Sequence, residues 1–378
     1  MSTRIYFDNA STTPILKEVS HYMAEVNETY YGNPSSIHFY GRQSKIIVED
    51  ARTLIANGLG ASTGEIFFTS GATEANNMAL YCSVRDLGIK KILSSPTEHH
   101  CNLHMFDYLQ KHKLASVEML DVDQFGHIDY EALDEKLSNE NEGVMLSLMH
   151  GNNELGTIHN MDRLGEVCKK YNVLFHSDAA QTIGKIPIDL SNSNVGFIAG
   201  SAHKFYGPKG VGFIYINGDN LIKPLIHGGD QERGMRSGTE NLYGIAGMSK
   251  AFELALSEMN DRTSKIEEIS NLFINRLTKE CHDIRINGSQ VEQLKNIVSI
   301  SFPHTDKAEM LMMNLDILGI CASSGSACAS GVENDSHVLE AIKHDPKRKT
   351  VRFSFSHLNS LDEVNTVVDK IKTVTPLK

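Results

Sequence analysis

The sequence predicts an α/β protein with a large domain on a mostly parallel, seven-stranded sheet and a smaller α+β domain. In the first two-thirds of the chain, short apolar runs alternate with helical segments, the pattern of parallel strands covered by helices on both faces. A helical stretch from Ala246 to about Glu280 then leads into a second set of strands and helices. Because 378 residues exceed what one core usually serves, we predict two domains, one of residues 15–259 and one of residues 1–14 with 260–378.

The elements follow in order from the side chains. Strands of the large domain are the runs in which β-branched and aromatic residues cluster between turn residues. These runs are EIFFTS, KKILSSP, SVEMLDV, GVMLSLMH, VLFHSDA, VGFIAGSAH and VGFIYIN. In the small domain we predict the strands DIRING, IVSISF and VRFSFS, the helix AEMLMMNLDIL and a last helix from Leu361. Ligands of α/β sheets gather beyond the carboxyl ends of the strands, so the polar residues after these runs are candidates for a site.

The composition indicates a globular protein and narrows its partners. Hydrophobic residues make up 40% and charged residues 22%, which allows a sizeable core and excludes disorder as the main state. The 47 acidic against 36 basic residues give a net charge of −11, so we expect neither nucleic acid nor a membrane as the main partner. No run of 18 apolar residues and no signal-peptide pattern occurs, which predicts a cytoplasmic protein. The six cysteines include no C-x-x-C pair, so we expect free thiols, with Cys321 buried.

Three motifs follow predicted strands, and each has two interpretations. At residues 69–74, TSGATE, a strand ends and a helix begins. The backbone N–H groups and hydroxyls there can form an anion site that fits a phosphate. In the alternative interpretation, Ser70 or Thr73 only caps the helix. Asp178 ends VLFHSD, where a carboxylate can hold a proton on a heteroaromatic nitrogen or cap a helix. Lys204 follows VGFIAGSAH, where a desolvated amine can form a Schiff base, although a lone lysine is usually a surface residue. Together these groups are the three anchors of pyridoxal 5'-phosphate.

Ten short motifs occur in order along nearly the whole chain: YFDNASTTP, GNPSSIH, TSGATEAN, TEHH, NNELG, HSDAAQ, SAHKFYGPKGVG, HGGDQERGMRSGT, SSGSACAS and VRFSFS. With them, the chain resembles the cysteine desulfurases of the class V aminotransferase family. The resemblance implies the pyridoxal-phosphate fold of type I, a homodimer with sites at the interface, and a reaction that takes sulfur from L-cysteine as a persulfide and releases L-alanine. It also implies a sulfur-acceptor protein, either an iron–sulfur scaffold or a tRNA-thiolation relay.

The same resemblance implies a role for each site residue. Lys204 would form the Schiff base, and Asp178 would pair with the ring nitrogen. Cys328 would be the nucleophile that takes the sulfur, His99 would stack on the ring and move protons, and Arg352 would bind the substrate carboxylate. Further contacts are implied for Asn33 toward the substrate and, toward the cofactor, for Gln181, Ala72, Thr73, Asn153, Ser201, His203 and, from a second subunit, Thr239.

The chemistry of these residue types agrees with the implied roles. The forked donors of Arg352 can bind both oxygens of a carboxylate, and a neutral imidazole such as that of His99 can accept and return a proton. Cys328 lies in a segment of small, hydroxyl-bearing residues typical of a mobile loop, which suits a thiolate that attacks sulfur and carries it away.

Alternatives remain open for two of these residues and for the function. His99 could be structural, and His100 and His104, four residues apart, could bind a metal, although no acidic third ligand lies beside them. Cys328 could be a buried, inert thiol. Another pyridoxal-phosphate reaction, such as transamination or selenocysteine lysis, would use Lys204 without Cys328, and a non-catalytic sulfur carrier or binding module would need neither.

Overall fold

The fold is described here from a computed structural model, which covers residues 4–140, 142–305, 310–324 and 336–377. The helices are α1 (Lys17–Thr29), α2 (Phe39–Leu59), α3 (Ala72–Asp86), α4 (His100–Lys111), α5 (Tyr130–Ser138), α6 (Met161–Lys170), α7 (Leu242–Ser257), α8 (Met259–Glu280), α9 (Leu311–Ile317), α10 (His337–Ala341) and α11 (Leu361–Ile371). The strands are β1 (Ile5–Tyr6), β2 (Ile66–Thr69), β3 (Lys91–Ser94), β4 (Ser116–Met119), β5 (Val144–Ser147), β6 (Leu174–Asp178), β7 (Phe197–Ser201), β8 (Gly212–Ile216), β9 (Arg285–Asn287), β10 (Ile297–Phe302), β11 (Ile320–Cys321) and β12 (Lys349–Ser354).

A seven-stranded sheet organises the first two-thirds of the chain. Its order in the described residues is β2-β8-β7-β6-β5-β3-β4, and the seven strands are the seven predicted runs. Strands β4, β3, β5, β6 and β7 are parallel, whereas β8 is antiparallel to both of its neighbours. A parallel connection needs a crossover of a dozen or more residues, and only residues 202–211 separate β7 from β8. The mostly parallel α/β fold is therefore confirmed.

Helices cover this sheet on both faces. Successive side chains of a strand point to opposite faces, and in β7 Phe197 and Ile198 belong to different hydrophobic clusters. Phe197 packs in the cluster that contains Phe106 of α4, and Ile198 packs in the cluster that contains Phe252 of α7. Because both faces are buried, the site lies at the edge of the sheet where the parallel strands end.

A third hydrophobic cluster lies under the three-stranded antiparallel sheet β12-β10-β9. It includes an aromatic group in which Phe7 lies 5.0 Å from Phe355 and Phe273 lies 4.8 Å from Phe353, centroid to centroid. Strand β1 near the amino terminus pairs with β11, and Ile5 and Phe7 belong to this cluster. The clusters support the division into residues 15–259 and residues 1–14 with 260–378, which we retain as a proposal.

Three details complete the comparison with the sequence. The stretch predicted as one helix from Ala246 is two helices, which begin at Leu242 and meet at Glu258, where φ is −109° and ψ is 10°. The prediction of a single helix was wrong in this respect, although Arg262 N–H still donates to the Glu258 carbonyl at 2.9 Å.

Cys321 is half-buried rather than buried, because among the described strands β11 has only β1 beside it. None of the described helices combines the length and apolarity needed to cross a membrane.

Candidate active site

A cavity of about 570 Å³ opens where the strands of the large sheet end. Among the residues that line it are Ala72, Thr73, His99, Asn153, Asp178, Gln181, Ser201, His203, Lys204 and Arg352. These side chains come from strand ends, helix starts and the small domain, and each was predicted as a site residue. The tertiary structure therefore brings them to one place.

Lys204 ends a short 3-10 helix, Ala202–Lys204, that follows β7 directly. Its Nζ donates to the carbonyl oxygens of Ala10, at 2.7 Å, and Ser11, at 2.9 Å. The side chain is half-buried and faces the cavity, so the surface-lysine interpretation is wrong. Two carbonyl acceptors hold the amine where an aldehyde in the cavity can reach it.

Asp178 is the last residue of β6 and is only 4% exposed. Its Oδ1 accepts the backbone N–H of Ala180 at 2.9 Å, and its Oδ2 accepts Nδ2 of Asn76 at 2.7 Å. The carboxylate therefore caps the following turn and also lines the cavity. Asn76 is the last residue of the motif TSGATEAN, but no role was predicted for it; an asparagine beside Ala75 and Ala79 on the apolar face of α3 was the available signal.

The turn before α3 offers free donors. Gly71 occupies the N-cap position without a side-chain cap, so the alternative of a cap by Ser70 or Thr73 is wrong. The first N–H groups of α3 have no acceptor within the helix. Gly71 has a φ of 153°, and a Cβ there would lie 3.6 Å from Oγ of Ser201. Gly71, Ala72 and Thr73 line the cavity, and a helix start with serine and threonine hydroxyls beside it can hold a phosphate.

His203 lies beside this turn as a neutral imidazole. Burial, with Lys204 and Lys209 nearby, lowers the pKa of His203 to about 4. Its Nδ1 lies 3.2 Å from Oγ1 of Thr12. An uncharged His203 contributes a hydrogen bond rather than a charge to an anion at the turn.

His99 is the N-cap residue of α4. Its Nδ1 accepts the backbone N–H of Cys101 at 3.1 Å, so the proton of the neutral ring is on Nε2. Burial lowers the pKa of His99, and the charge of Lys204 lowers it further, while Asp178 acts in the opposite direction. The ring is therefore held in one tautomer that can donate from Nε2.

His100 and His104 share a face of α4, with ring centroids 5.5 Å apart, and His100 lies 4.5 Å from the ring of His337. Across residues 4–140, 142–305, 310–324 and 336–377, no group of three His, Cys, Asp or Glu side chains has a geometry that could hold a metal ion. The metal interpretation of this pair therefore has no support from the described side chains.

Gln181 connects the cavity to a lysine that no motif indicated. Nε2 of Gln181 donates to the Ala10 carbonyl at 2.9 Å, and its Oε1 accepts Nζ of Lys185 at 2.9 Å. Loss of hydration, with the positive charges of Lys204 and Arg352 nearby, lowers the pKa of Lys185 to about 7. The NH2 group of Gln181 thereby faces the Ala10 carbonyl, which also accepts from Nζ of Lys204.

Arg352 lies on β12, and its side chain lines the cavity. Its Nη2 donates to Oδ1 of Asp8 at 2.9 Å and to Oγ of Ser11 at 2.6 Å, and its Nη1 donates to the Asn153 carbonyl at 2.8 Å. Its Nε is buried and has no hydrogen-bond partner among the described residues. Asn153 thus contributes its backbone to the site, by holding the guanidinium.

Three predicted residues do not meet in this cavity. Asn33 and Thr239 are exposed and lie outside its lining, and Oδ1 of Asn33 accepts the backbone N–H of Ser35. Cys328 lies outside the described residues. Before and after it, the described chain touches residues that line the cavity, since Oγ of Ser323 lies 3.4 Å from Oγ of Ser11 and Oγ of Ser336 donates to Glu154 at 2.5 Å.

The donor set fits pyridoxal 5'-phosphate. An amine, a buried carboxylate and a helix start with free N–H groups are the partners that its aldehyde, ring nitrogen and phosphate require. Asp178 and Lys204 both line the cavity together with the turn at Gly71 and Ala72. The residues present therefore match the cofactor that the motifs predicted.

Comparison with known proteins agrees with this chemistry. Residues 5–367 match the family described as Aminotransferase class-V. The chain is 40% identical to the cysteine desulfurase IscS of Dictyoglomus turgidum, over 100% of this chain and 98% of that protein. It resembles a solved NifS-like protein with a TM-score of 0.90 and 35% identity, over 98% and 99% of the two chains. It also resembles the structure of SspA in complex with cysteine, with a TM-score of 0.83 and 29% identity, over 95% and 100% of the two chains.

Proposed function

The chain belongs to the aminotransferase class-V family, and from that premise we propose that the cavity described above is where it works as a cysteine desulfurase. The protein converts L-cysteine to L-alanine and passes the sulfur to an acceptor protein, with pyridoxal 5'-phosphate as its cofactor. One observation carries the assignment of residues: the amine of Lys204, the carboxylate of Asp178 and the start of α3 converge on one cavity.

Lys204 and Asp178 act at the two ends of the cofactor ring. When bound, the cofactor supplies an aldehyde that condenses with amines and a protonated pyridine ring that withdraws electrons from the α-carbon of the substrate. Lys204 Nζ would be the amine that links to this aldehyde and, when free, the base that takes the α-proton of the substrate. Asp178 keeps the ring nitrogen protonated, because a buried carboxylate 4% exposed is best satisfied by a cationic donor.

The phosphate and the ring hydroxyl have their own partners. Donors for the phosphate are the backbone at Ala72 and Thr73 with the side chains of Ser201 and His203, and Gln181 donates its second amide hydrogen to the ring hydroxyl. His99, with its proton on Nε2, stacks on the ring and returns protons to the reacting carbons.

Arg352 binds the substrate carboxylate. Its guanidinium is already oriented by Asp8 and Asn153 and lines the cavity, and its forked donors suit the two oxygens of a carboxylate. Asn33 assists from the loop between α1 and α2. L-Cysteine as the substrate is supported by the related structure that is described in complex with cysteine.

Cys328 is the nucleophile. Its thiolate attacks the sulfur of the bound cysteine, so that an S–S bond forms, the C–S bond of the substrate breaks, and the electron pair returns to the carbon skeleton, which is protonated and leaves as alanine. Three of the other thiols are poorer candidates, because burial raises the pKa of Cys82 to about 11 and that of Cys168 to about 12, and also raises the pKa of Cys101.

The protein is a homodimer in this proposal, and Thr239 reaches the phosphate of the second subunit. Thr239 and Asn33 are exposed in the single chain, and large apolar side chains are exposed next to Asn33. Ile37 is 92% exposed, and Tyr31, Phe39 and Tyr40 are exposed beside it. A second subunit that covers this patch accounts for it. The acceptor is an iron–sulfur scaffold or a thiolation relay, and a cytoplasmic location follows from the sequence prediction.

The test is to incubate the holoenzyme with L-cysteine and to locate the added sulfur by mass spectrometry. We expect one extra sulfur atom on Cys328 and, in Cys328→Ala, full cofactor binding with loss of alanine formation. Cys321→Ala, which changes a half-buried thiol seven residues earlier, is the matched control and keeps the activity. Sulfur on another cysteine contradicts the assignment of Cys328 as the nucleophile, and alanine formation by Cys328→Ala favours one of the other pyridoxal-phosphate reactions, which do not need this thiol.

A further inference from the structure

A buried chain of hydrogen bonds runs from the interior of the large sheet to Asp178. Oγ of Ser147 lies 2.9 Å from Nδ1 of His176, Nε2 of His176 lies 3.0 Å from Oδ1 of Asn76, and Nδ2 of Asn76 lies 2.7 Å from Oδ2 of Asp178. Ser147, His176 and Asn76 are each 0% exposed. Asn76 Nδ2 also lies 3.4 Å from the sulfur of Cys101.

The secondary structure makes this chain rigid. His176 and Asp178 are two residues apart on β6, so their side chains point to the same face of the sheet. Ser147 of β5 is the register partner of His176 in the parallel pair. Asn76 comes down onto this face from the second turn of α3, the helix whose first turn faces the cavity.

The carboxylate of Asp178 determines where each proton lies in this chain of hydrogen bonds. An ionised carboxylate only accepts, so the amide NH2 of Asn76 must face Asp178 and its carbonyl must face His176. Nε2 of His176 therefore carries the ring proton, and Nδ1 accepts the hydroxyl proton of Ser147. Complete desolvation lowers the pKa of His176 to about 3, which keeps this ring neutral at ordinary pH.

We propose that His176 is a positioning residue that acts through Asn76 to keep the Asp178 carboxylate charged and aimed at the ring nitrogen of the cofactor. The inference rests on the role proposed above for Asp178. Without the N–H of His176, the buried Asn76 carbonyl has no donor, and the amide is no longer fixed with its NH2 toward Asp178. A carboxylate that loses this N–H donor is less favoured in its charged form, and a protonated Asp178 no longer holds a proton on the ring.

A core histidine with no function is the competing explanation. A purely structural role requires only a side chain of suitable volume, and burying an imidazole costs free energy that an apolar residue does not. The positioning role proposed for His176 predicts that its loss changes the protonation of the ring nitrogen. A packing role predicts no such change.

The experiment uses holoenzyme reconstituted with pyridoxal 5'-phosphate labelled with 15N in the ring, and it measures the 15N chemical shift. In the wild type we expect the shift of a protonated ring. In His176→Leu we expect it to move toward that of the unprotonated ring, with a loss in kcat that exceeds any rise in KM. His176→Gln, whose amide can both donate to Asn76 and accept from Ser147, restores the wild-type shift.

Controls separate the two proposals. His159→Leu replaces another buried histidine, which is 3% exposed and takes no part in these hydrogen bonds. This variant is expected to leave the 15N shift unchanged. If Asp178→Asn leaves the shift unchanged, the role proposed for Asp178 fails; if Asp178→Asn moves it and His176→Leu does not, only this inference is overturned. Asn76→Ser breaks the same link with a smaller polar residue and must move the shift toward that of the unprotonated ring. It carries the test by itself where His176→Leu fails to fold, and an unchanged shift overturns the inference.

Discussion

The guanidinium of Arg352 lies 2.9 Å from the Asp8 carboxylate, across 344 positions of sequence. Arg352 is 3% exposed, and its backbone pairs with Ser323, which also donates to Asp8. One ion pair thus joins the amino-terminal segment, the strand β12 and the chain that leads to Cys328. The arginine that we propose to bind the substrate is therefore held by protein partners before any carboxylate arrives.

Arg352→Lys is expected to lower kcat/KM for L-cysteine on the order of 100-fold, mainly by a rise in KM. A lysine ammonium cannot contact Asp8, Asn153 and a substrate carboxylate at once, whereas the forked guanidinium can. Steady-state kinetics measure the effect, and the absorbance of the bound cofactor should stay unchanged as the control. An unaltered KM would show that the carboxylate binds elsewhere.

Glu232→Gln is expected to destabilise the protein by about 3 kcal/mol, because it leaves the fully buried Arg52 without its bidentate partner. Both guanidinium Nη atoms of Arg52 donate to Glu232, at 2.8 and 2.9 Å. Glu49 contacts the same arginine from a side chain that is 34% exposed, so Glu49→Gln should cost less than about 1 kcal/mol. Urea unfolding followed by circular dichroism compares the two variants, and equal losses would contradict the argument.

Gly212→Ala is expected to weaken cofactor binding. A Cβ at Gly212 would lie 2.4 Å from the Gly200 carbonyl and 2.7 Å from Cα of Gly71, so the turn that holds the phosphate must shift. Gly64→Ala is the matched control, since the nearest atom to its Cβ is 3.6 Å away. The dissociation constant of pyridoxal 5'-phosphate, measured by titration of the apoprotein, should rise in the first variant and not in the second.

His159 is expected to make the protein less stable in mild acid. Burial lowers the pKa of His159 to about 4 in the folded protein, whereas a histidine in the unfolded chain has a pKa of about 6.5. Between these two pH values the unfolded chain binds a proton at His159 and the folded protein does not. Stability attributable to this residue is therefore lost as the pH falls from about 6.5 toward 4. Between about pH 7.5 and about pH 5.5, wild type should lose about 1 kcal/mol more than His159→Gln in urea unfolding. An equal loss in both proteins would mean that His159 is protonated in the folded state.

Much of the fold could be predicted because strands and helices are local. Each run of β-branched and aromatic residues became a strand of the large sheet, and the last helix begins at Leu361 as expected. The break at Glu258 and the half-exposed Cys321 were not predictable, since the first depends on how two helices pack and the second on the number of neighbouring strands. Asn33, Thr239 and Cys328 remain predictions that the cavity of one chain does not test.

The amino-acid sequence by itself determined which chemical groups the site contains, because an amine, a carboxylate or a helix start is a property of a few adjacent residues. Only the tertiary structure decided what each group touches. Asn76 beside Asp178, Lys185 beside Gln181 and Asp8 beside Arg352 are contacts between distant positions. Their geometry, and the burial that sets the protonation of His176 and His203, exist only once the elements have packed together.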